Sequence, residues 1–482
     1  MGNSQNLYPL SLHVIRQADW DGDLELVLVP ALQENALRQP GKKVGDFLLA
    51  ETAEGRHRLL VSLGPQDKLS ADIIRQAGGA AAKWLVKREV GAVAIQDTAL
   101  QNLGIEGALE AFCEGLLLGA YRFDRHKSEK EAEAVTKVYL LAAGEPAPLE
   151  NTVQYVTSVG AGVNLARDLA HEPPNVVNPA SLAERARALA ESDGLSCTLL
   201  GEAQLKEMGA GAILSVGLGS KTPSQMIILE YPGQPDHTGE TPVIVVGKAI
   251  TFDTGGYSIK DRIGMVGMKY DKSGGASVLG IMHAVAALKP SVPVVGIVAA
   301  AENMISAEAY RPNDIIRSLS GKTIEIISTD AEGRLVLADA LTYAHTHYQP
   351  RALIDLATLT GGIVIALGMV RAGLMSNNED LAAALFSAGE RTHERLWRMP
   401  LDEDYFELIK GDDSDIKNSS GVRQAHPIVG GIFLKQFVPS EIPWAHLDIA
   451  GPATAEKDLP YCPKGATGFG VRLILDYLRH LA

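Results

Sequence analysis

Seven charged residues in the second half of the chain have types and spacings that could build one reactive site. The stretch STDAEGRL sets Asp330, Glu332 and Arg334 two positions apart, with only Ala331 and Gly333 between them, directly before the apolar run LVLADAL. Upstream, KAITFDTGGYSIK carries Lys248, Asp253 and Lys260, and MKYDKSGG carries Asp271. Four carboxylates converging in a crevice repel one another, so their pKa values rise unless cations neutralise them. Oxygen-rich ligand sets suit hard or borderline divalent ions, and two ions about 3.5–4 Å apart that share carboxylates form a known arrangement for hydrolysis. With Lys248 as a neutral nitrogen ligand, two divalent ions, four carboxylates, Lys260 and Arg334 sum to about +2, a balance suited to an anion or a developing oxyanion. Lys248 must then lose its proton against an ordinary pKa of about 10.4. A neighbouring divalent cation favours that loss.

Each residue taken singly has an ordinary explanation. Asp330 could cap the following helix and Glu332 could favour its dipole. Lys248 could be a surface lysine with a buried stem, and Asp271, shortly before Gly274 and Gly275, could begin a turn. The set is harder to explain that way, because ligands of open α/β sheets bind outside the carboxyl ends of the strands, where these residues are expected to lie. Ala331 and Gly333 are expected to be small to leave room for metal and substrate. Other motifs fail. GETPVIVVGKA has Pro242 and Ala249 where a phosphate loop needs glycine and a hydroxyl, and GAGVNL and GAGAIL lack the third glycine of a dinucleotide fingerprint. No GxSxG elbow occurs. HERLW lacks a second histidine, His345 and His347 are two apart on an expected helix, and the three cysteines form no CxxC pair, so neither a histidine nor a thiolate zinc site is expected.

The elements that must position these residues follow from hydrophobic patterning. A chain of 482 residues, 46% hydrophobic, exceeds one ordinary core. Residues 7–143 alternate strand-like runs (LELVLV, RLLVSL, GAVAIQ, VYLLAA) with helix-like ones, giving a smaller N-terminal α/β domain over 1–148. After the break GEPAPLE, apolar residues from Val153 to Leu169 recur at helical spacing, predicting a linker helix over 149–172 that ends at HEPPNVVNP; Pro179 is expected to open the next helix. The catalytic domain, 173–482, contains the apolar runs QMIILEY, PVIVVG, VPVVGIVAA, TIEIIS and ALIDLA separated by helical segments. That rhythm predicts an α/β fold with a mostly parallel central sheet covered by helices. LATLTGGIVIALGMV (356–370) is too short to span a bilayer and is expected to be buried core. A formal net charge of -14 disfavours nucleic acid and anionic membranes as partners and leaves small molecules or peptides. The first residues, MGNSQNLYPLSLHVI, lack a basic segment followed by an apolar one, and Asn6 departs from the myristoylation pattern, so a cytoplasmic protein is expected.

VGKAITFDTGGYSIK, MKYDKSGG, STDAEGRLVLADAL, DLATLTG, WAHLDIAGPA and PYCPKGATGFGVR resemble, in order and spacing, the leucine aminopeptidase family of two-metal cytosolic aminopeptidases (family M17). The match is dense over about 150–482 and weak before it. The resemblance implies that Lys248, Asp253, Asp271, Asp330 and Glu332 are metal ligands, with Asp253 and Glu332 bridging and Lys248 and Asp271 confined to one ion. The ions implied are Mn²⁺ or Zn²⁺, with Mg²⁺ admissible at the exchangeable site. Lys260 is implied to polarise the scissile carbonyl or its oxyanion, and Arg334 to hold a bicarbonate that acts as general base. The backbone of Leu359 and Gly361 would orient the peptide, and Met268, Thr358, Ala450 and Ala453 would line the pocket for its first side chain. A homohexamer is implied as well. Two small departures, Ser328 for the usual asparagine and Thr254 for serine, are expected to leave activity intact. Ala453, where some relatives carry methionine, is expected to deepen the pocket and admit apolar first residues larger than leucine. A two-metal phosphoesterase is a rival hydrolase, and a non-catalytic metal-binding oligomer or regulator with a vestigial site is the rival outside enzymes.

Overall fold

The short apolar runs of the first half of the chain form strands, and the longer amphipathic segments between them form helices. A computed structural model describes residues 9–31, 43–53, 55–129, 135–237 and 239–481. The chain divides into two units, Met1–Gly160 with Ala455–Lys464, and Ala161–Thr454 with Gly465–Ala482. In the first unit, strands β1 (Leu10–Arg16), β2 (Leu24–Ala31), β3 (Phe47–Glu51), β4 (His57–Pro65), β5 (Ala92–Gln96) and β6 (Thr136–Ala142) form one sheet in the order β1-β6-β5-β2-β4-β3. Among the described residues of this sheet only the β3–β4 pair is antiparallel. Helix Ala71–Lys87 is capped by the Ser70 hydroxyl, which accepts from Ile73 N, and with helix Ala108–Gly119 it buries Ile74, Leu85, Phe112 and Leu116 beside Leu59, Val61, Val138 and Leu140. The segment Ala455–Lys464 joins this unit through Tyr461 Oη, which donates to Asp72 Oδ1 at 2.7 Å, and Lys83 Nζ, which donates to the Leu459 carbonyl at 2.5 Å. Nothing in its sequence pattern announces that return.

The unit boundary falls within one helix, Ala147–His171. The helix ends where Pro173 and Pro174 forbid continuation, and Asn178 with Ser181 forms a capping box for the helix that Pro179 opens, Pro179–Asp193.

The strands of the second unit include, in chain order, β7 (Ser196–Leu200), β8 (Gln225–Tyr231), β9 (Val243–Asp253), β10 (Val294–Asn303), β11 (Ile315–Arg317), β12 (Thr323–Glu325), β13 (Ala352–Ala357), β14 (Ala372–Ser376), β15 (Leu396–Arg398), β16 (Ile416–Lys417) and β17 (Trp444–Asp448). Eight form the central sheet, β15-β14-β17-β13-β9-β10-β8-β7. Its middle, β17-β13-β9-β10, is parallel, whereas β8 is antiparallel to β10 and β14 to β17. From β9 the chain leaves to one side to form β10 and later returns on the other as β13, so the crevice between them is a topological switch point. Helices Ser273–Leu288 and Gly333–His347 pack on the sheet, and Val246, Ile297, Leu335, Leu353 and Trp444 are fully buried in its core.

Two expectations are corrected. TIEIIS does not join the central sheet: only Thr323–Glu325 is a strand, in a small separate sheet β11-β12-β16, because Thr323 and Glu325 engage Asp415 and the Asp412–Ser414 turn instead of central strands. The residues that follow therefore approach the crevice from a side loop. LATLTGGIVIALGMV is not uniformly core, since Gly361–Leu367 is a surface helix with Ile365 90% exposed and Val370 59% exposed. Among the described residues no helix is long and apolar enough to cross a membrane.

Candidate active site

Lys248 lies within β9, opposite Ala299 of β10, and not beyond the strand end as the sequence pattern suggests. Residues five apart on a regular strand face opposite sides of the sheet. Between the pairs Ile250↔Ala301 and Asp253↔Asn303, β9 advances by three residues and β10 by two, a bulge. The extra residue returns Asp253 to the face that carries Lys248.

The other ligand-type residues are delivered by close packing. Helix Ser273–Leu288 starts against β9 and β13, where a Cβ on Gly274 would lie 2.1 Å from the Leu356 carbonyl; this approach brings Asp271 to Lys248. A Cβ on Gly333 would lie 2.6 Å from Lys248 Cε and Nζ. Gly333 is thus small because the lysine stem passes against it, which corrects the expectation that metal and substrate need that space. Neither Asp330 nor Glu332 caps the helix: Glu332 occupies the cap position with helical backbone angles, and its side chain makes no capping bond.

The side chains then meet. Lys248 Nζ is 2.8 Å from Glu332 Oε1 and 3.0 Å from Asp271 Oδ2, and it donates to the Thr358 carbonyl at 2.9 Å. Lys260 Nζ is 2.8 Å from Asp253 Oδ2 and pairs also with Asp330. Asp253, Asp330 and Glu332 each offer an oxygen within 4.8 Å of the others, which joins the two lysine-centred groups into one cluster. Lys248, Asp253, Asp271 and Glu332 are buried, while the Asp330 side chain is 37% exposed, so the cluster opens to solvent on that side.

Charge follows burial. Desolvation pushes Asp271 up to about 8 and Asp330 up to about 6, and raises Asp253, with the Glu332 carboxylate adding to each. Burial acts on Glu332 in the same direction, but Lys248 and Lys260 outweigh it and hold its pKa below the ordinary value. Burial alone would lower both lysines; Asp271 and Glu332 raise Lys248, and Asp253, Glu332 and Asp330 raise Lys260. Four carboxylates against two ammonium groups leave two negative charges. Asp271 Oδ2 is buried and ion-paired with Lys248 Nζ at 3.0 Å, without a well-aligned hydrogen bond. An oxygen-rich cluster with an excess of negative charge fits a site for divalent cations.

Arg334, 1% exposed, enters from the first turn of helix Gly333–His347. Its Nη1 donates to the Asn418 carbonyl at 2.7 Å, and its Nε has no partner. Burial pushes its pKa down to about 10, against the opposing pull of Glu332 and Asp448. A buried guanidinium with a free donor is suited to a small anion.

The residues expected to line the pocket lie at the same end of the sheet. Thr358 donates its hydroxyl to Asp271 Oδ1 at 2.7 Å, Leu359 N donates to Asp448 Oδ1, and Gly361 opens the helix that follows, with open space where a Cβ would stand. Met268 is half-buried in the turn before Asp271, and Ala450 and the buried Ala453 follow β17. Thr254 accepts from Gly256 N and donates to the Asn303 carbonyl, roles a serine could fill, and Ser328 accepts from Asp330 N.

Sequence inspection missed the uncharged scaffold. Asn303 Nδ2 donates to Asp253 Oδ1 and to the Thr329 carbonyl, which Tyr310 also reaches, so Asp253 keeps Oδ2 for the crevice. Asn418 binds Ile327 N, Ser328 N and the Ser328 carbonyl, clamping the loop that delivers Asp330. Asn303 could have been found as another strand-end residue; Asn418 had no signal.

Residues 164–475 match the model of the cytosol aminopeptidase family catalytic domain, and residues 47–130 match that of its N-terminal domain. The chain belongs to the cytosol aminopeptidase family. It is 45% identical over 446 residues to a probable cytosol aminopeptidase of Syntrophotalea carbinolica, covering 90% of this chain and 88% of that one. A probable cytosol aminopeptidase of Geotalea uraniireducens is 47% identical over 429 residues, covering 88% and 85%. Among solved structures, the bottromycin maturation enzyme BotP superposes with a TM-score of 0.86 at 32% identity, covering 95% of this chain and 99% of that one. The same enzyme in complex with Mn gives 0.86 at 31%. Family membership supports metal-dependent peptide hydrolysis by an aminopeptidase and the two-domain α/β architecture described above.

Proposed function

We propose that this chain is a two-metal aminopeptidase that releases N-terminal residues, leucine and other apolar residues preferred, from peptides. The observation that carries the reading is the cluster, open to solvent at Asp330, in which Asp253, Asp330 and Glu332 come within 4.8 Å of one another between two lysines. Lys248, Asp253, Asp271, Asp330 and Glu332 would hold two divalent ions, Mn²⁺ or Zn²⁺, with Mg²⁺ admissible at one. When bound, such ions supply Lewis-acid polarisation of the carbonyl and a lowered pKa for water. Lys260 remains an ammonium and donates to the carbonyl oxygen as negative charge develops there. Arg334 anchors bicarbonate and sets it to take the proton of the attacking water. Thr358, Leu359, Gly361, Met268, Ala450 and Ala453 hold the first residue of the peptide.

A cytoplasmic homohexamer completes the reading. Ile259, Ile263, Val266, Ile305, Ile365 and Val370, each at least 44% exposed, all follow the carboxyl ends of β9, β10 and β13. Apolar side chains gathered at one end of a sheet favour burial against further copies. Light scattering is expected to give about six times the subunit mass of 51.3 kDa; a monomer would remove this part. Hydrolysis of leucyl-p-nitroanilide is expected, abolished by chelation and restored by Mn²⁺ or Zn²⁺. Activity indifferent to chelation would remove the two-metal reading.

A further inference from the structure

One carboxylate beneath the pocket has no place among the ligands or the reacting groups. Asp448 ends β17 beside Ala357 of β13 and is fully buried. Its Oδ1 accepts from Leu359 N at 3.1 Å, Thr360 N at 3.4 Å and Ala450 N at 3.3 Å, and its Oδ2 accepts from the Thr360 hydroxyl at 2.6 Å. These bonds end on two separate loops. One carries Thr358, Leu359 and Gly361, and the other carries Ala450 and Ala453.

Hydrogen bonds to a carboxylate are about twice as strong as neutral ones, and a low dielectric strengthens them further. When one oxygen serves N–H groups from two loops, the separation of those loops is limited to the reach of that oxygen. The far side of the first loop is held independently, since Thr358 gives its carbonyl to Lys248 and its hydroxyl to Asp271. We infer that Asp448 is a positioning and specificity-determining residue: it fixes the distance between the 358–361 and 450–453 loops and so sets the width of the pocket for the first side chain. The inference rests on the aminopeptidase reading above. Asp448 acts through the loops that its two oxygens hold.

The test is a selectivity ratio measured on the Mn²⁺-loaded full chain, kcat/KM for leucyl-p-nitroanilide over that for alanyl-p-nitroanilide. The ratio does not depend on how much of a preparation is folded, so a purely structural role would leave it unmoved. Asp448→Ala is expected to lower the ratio by roughly 10-fold, the scale of discrimination that small changes in an apolar pocket produce, with Mn²⁺ content per subunit unchanged. Asp448→Asn keeps an acceptor for the backbone groups and is expected to retain the wild-type ratio. Thr360→Ala removes the hydroxyl donor alone and is expected to shift the ratio in the same direction by less, which keeps the test alive if Asp448→Ala does not fold. An unchanged ratio in Asp448→Ala and Thr360→Ala overturns the inference, as does an equal loss in Asp448→Asn. Wild-type protein inactive on both substrates overturns the aminopeptidase reading instead.

Discussion

Glu332→Ala is expected to lower kcat/KM for leucyl-p-nitroanilide by at least roughly 10²–10³-fold, the loss seen when one electrostatic element of a catalytic site is removed. Re-addition of Mn²⁺ or Zn²⁺ is not expected to rescue it. Glu332 is the residue that both lysine-centred groups share: its Oε1 contacts Lys248 at 2.8 Å, and it completes the carboxylate triad with Asp253 and Asp330. Truncation leaves Asp271 as the remaining carboxylate partner of the Lys248 ammonium and takes one negative charge from the cluster. Glu332→Gln, which keeps the shape and loses the charge, is expected to fall nearly as far. Steady-state kinetics with circular dichroism as a folding control decides the matter. A folded variant that keeps about a tenth or more of wild-type kcat/KM would place the chemistry elsewhere.

His446→Ala is expected to destabilise the fold by about 3–5 kcal/mol, because it strands a buried charge. Asp355 of β13 and His446 of β17 face each other across parallel strands, both 0% exposed, with Nδ1 and Oδ1 2.5 Å apart. Trp444 Nε1 donates to the other carboxylate oxygen at 2.8 Å. Burial alone would lower the pKa of His446, but Asp355 overrides it and raises the pKa above 6.5. The stabilisation is therefore fully present below the unfolded pKa of about 6.5 and is lost as pH rises through the folded value. A double variant, His446→Ala with Asp355→Ala, removes both members of the pair. Urea unfolding is expected to show the pH-dependent part of the gap between wild type and double variant narrowing from pH 6 towards alkaline pH. A gap that widens over that interval would contradict an ionised pair.

The charged half of the site was legible because carboxylates and lysines are expensive to bury, so their recurrence beside apolar strands demands a purpose. Asp253, Asp271, Asp330 and Glu332 could be read together on that ground alone. The β-α alternation of the second unit was legible for a related reason: helices and strands impose different hydrophobic periods. The antiparallel pairing of β8 was not, since a strand buried on both faces reads alike in either direction. Asn303, Asn418 and Asp448 were missed because their partners are mostly backbone groups far away in sequence, such as Leu359 N, 89 positions from Asp448. A backbone amide leaves no mark in a residue pattern. The placement of TIEIIS failed for a similar reason, since its neighbours were decided by Asp415 and Glu325 contacts rather than by hydrophobicity.

The bulge in β9 makes the cluster depend on a count as well as on residue identity. Lys248 and Asp253 share a face because one unmatched residue sits between Ile250 and Asp253. Inserting one further residue between Ile250 and Asp253 would preserve all seven charged side chains, yet would turn Asp253 to the far side of the sheet. Parity along this strand constrains the site as strictly as any ligand, and it tolerates point substitution far better than an insertion.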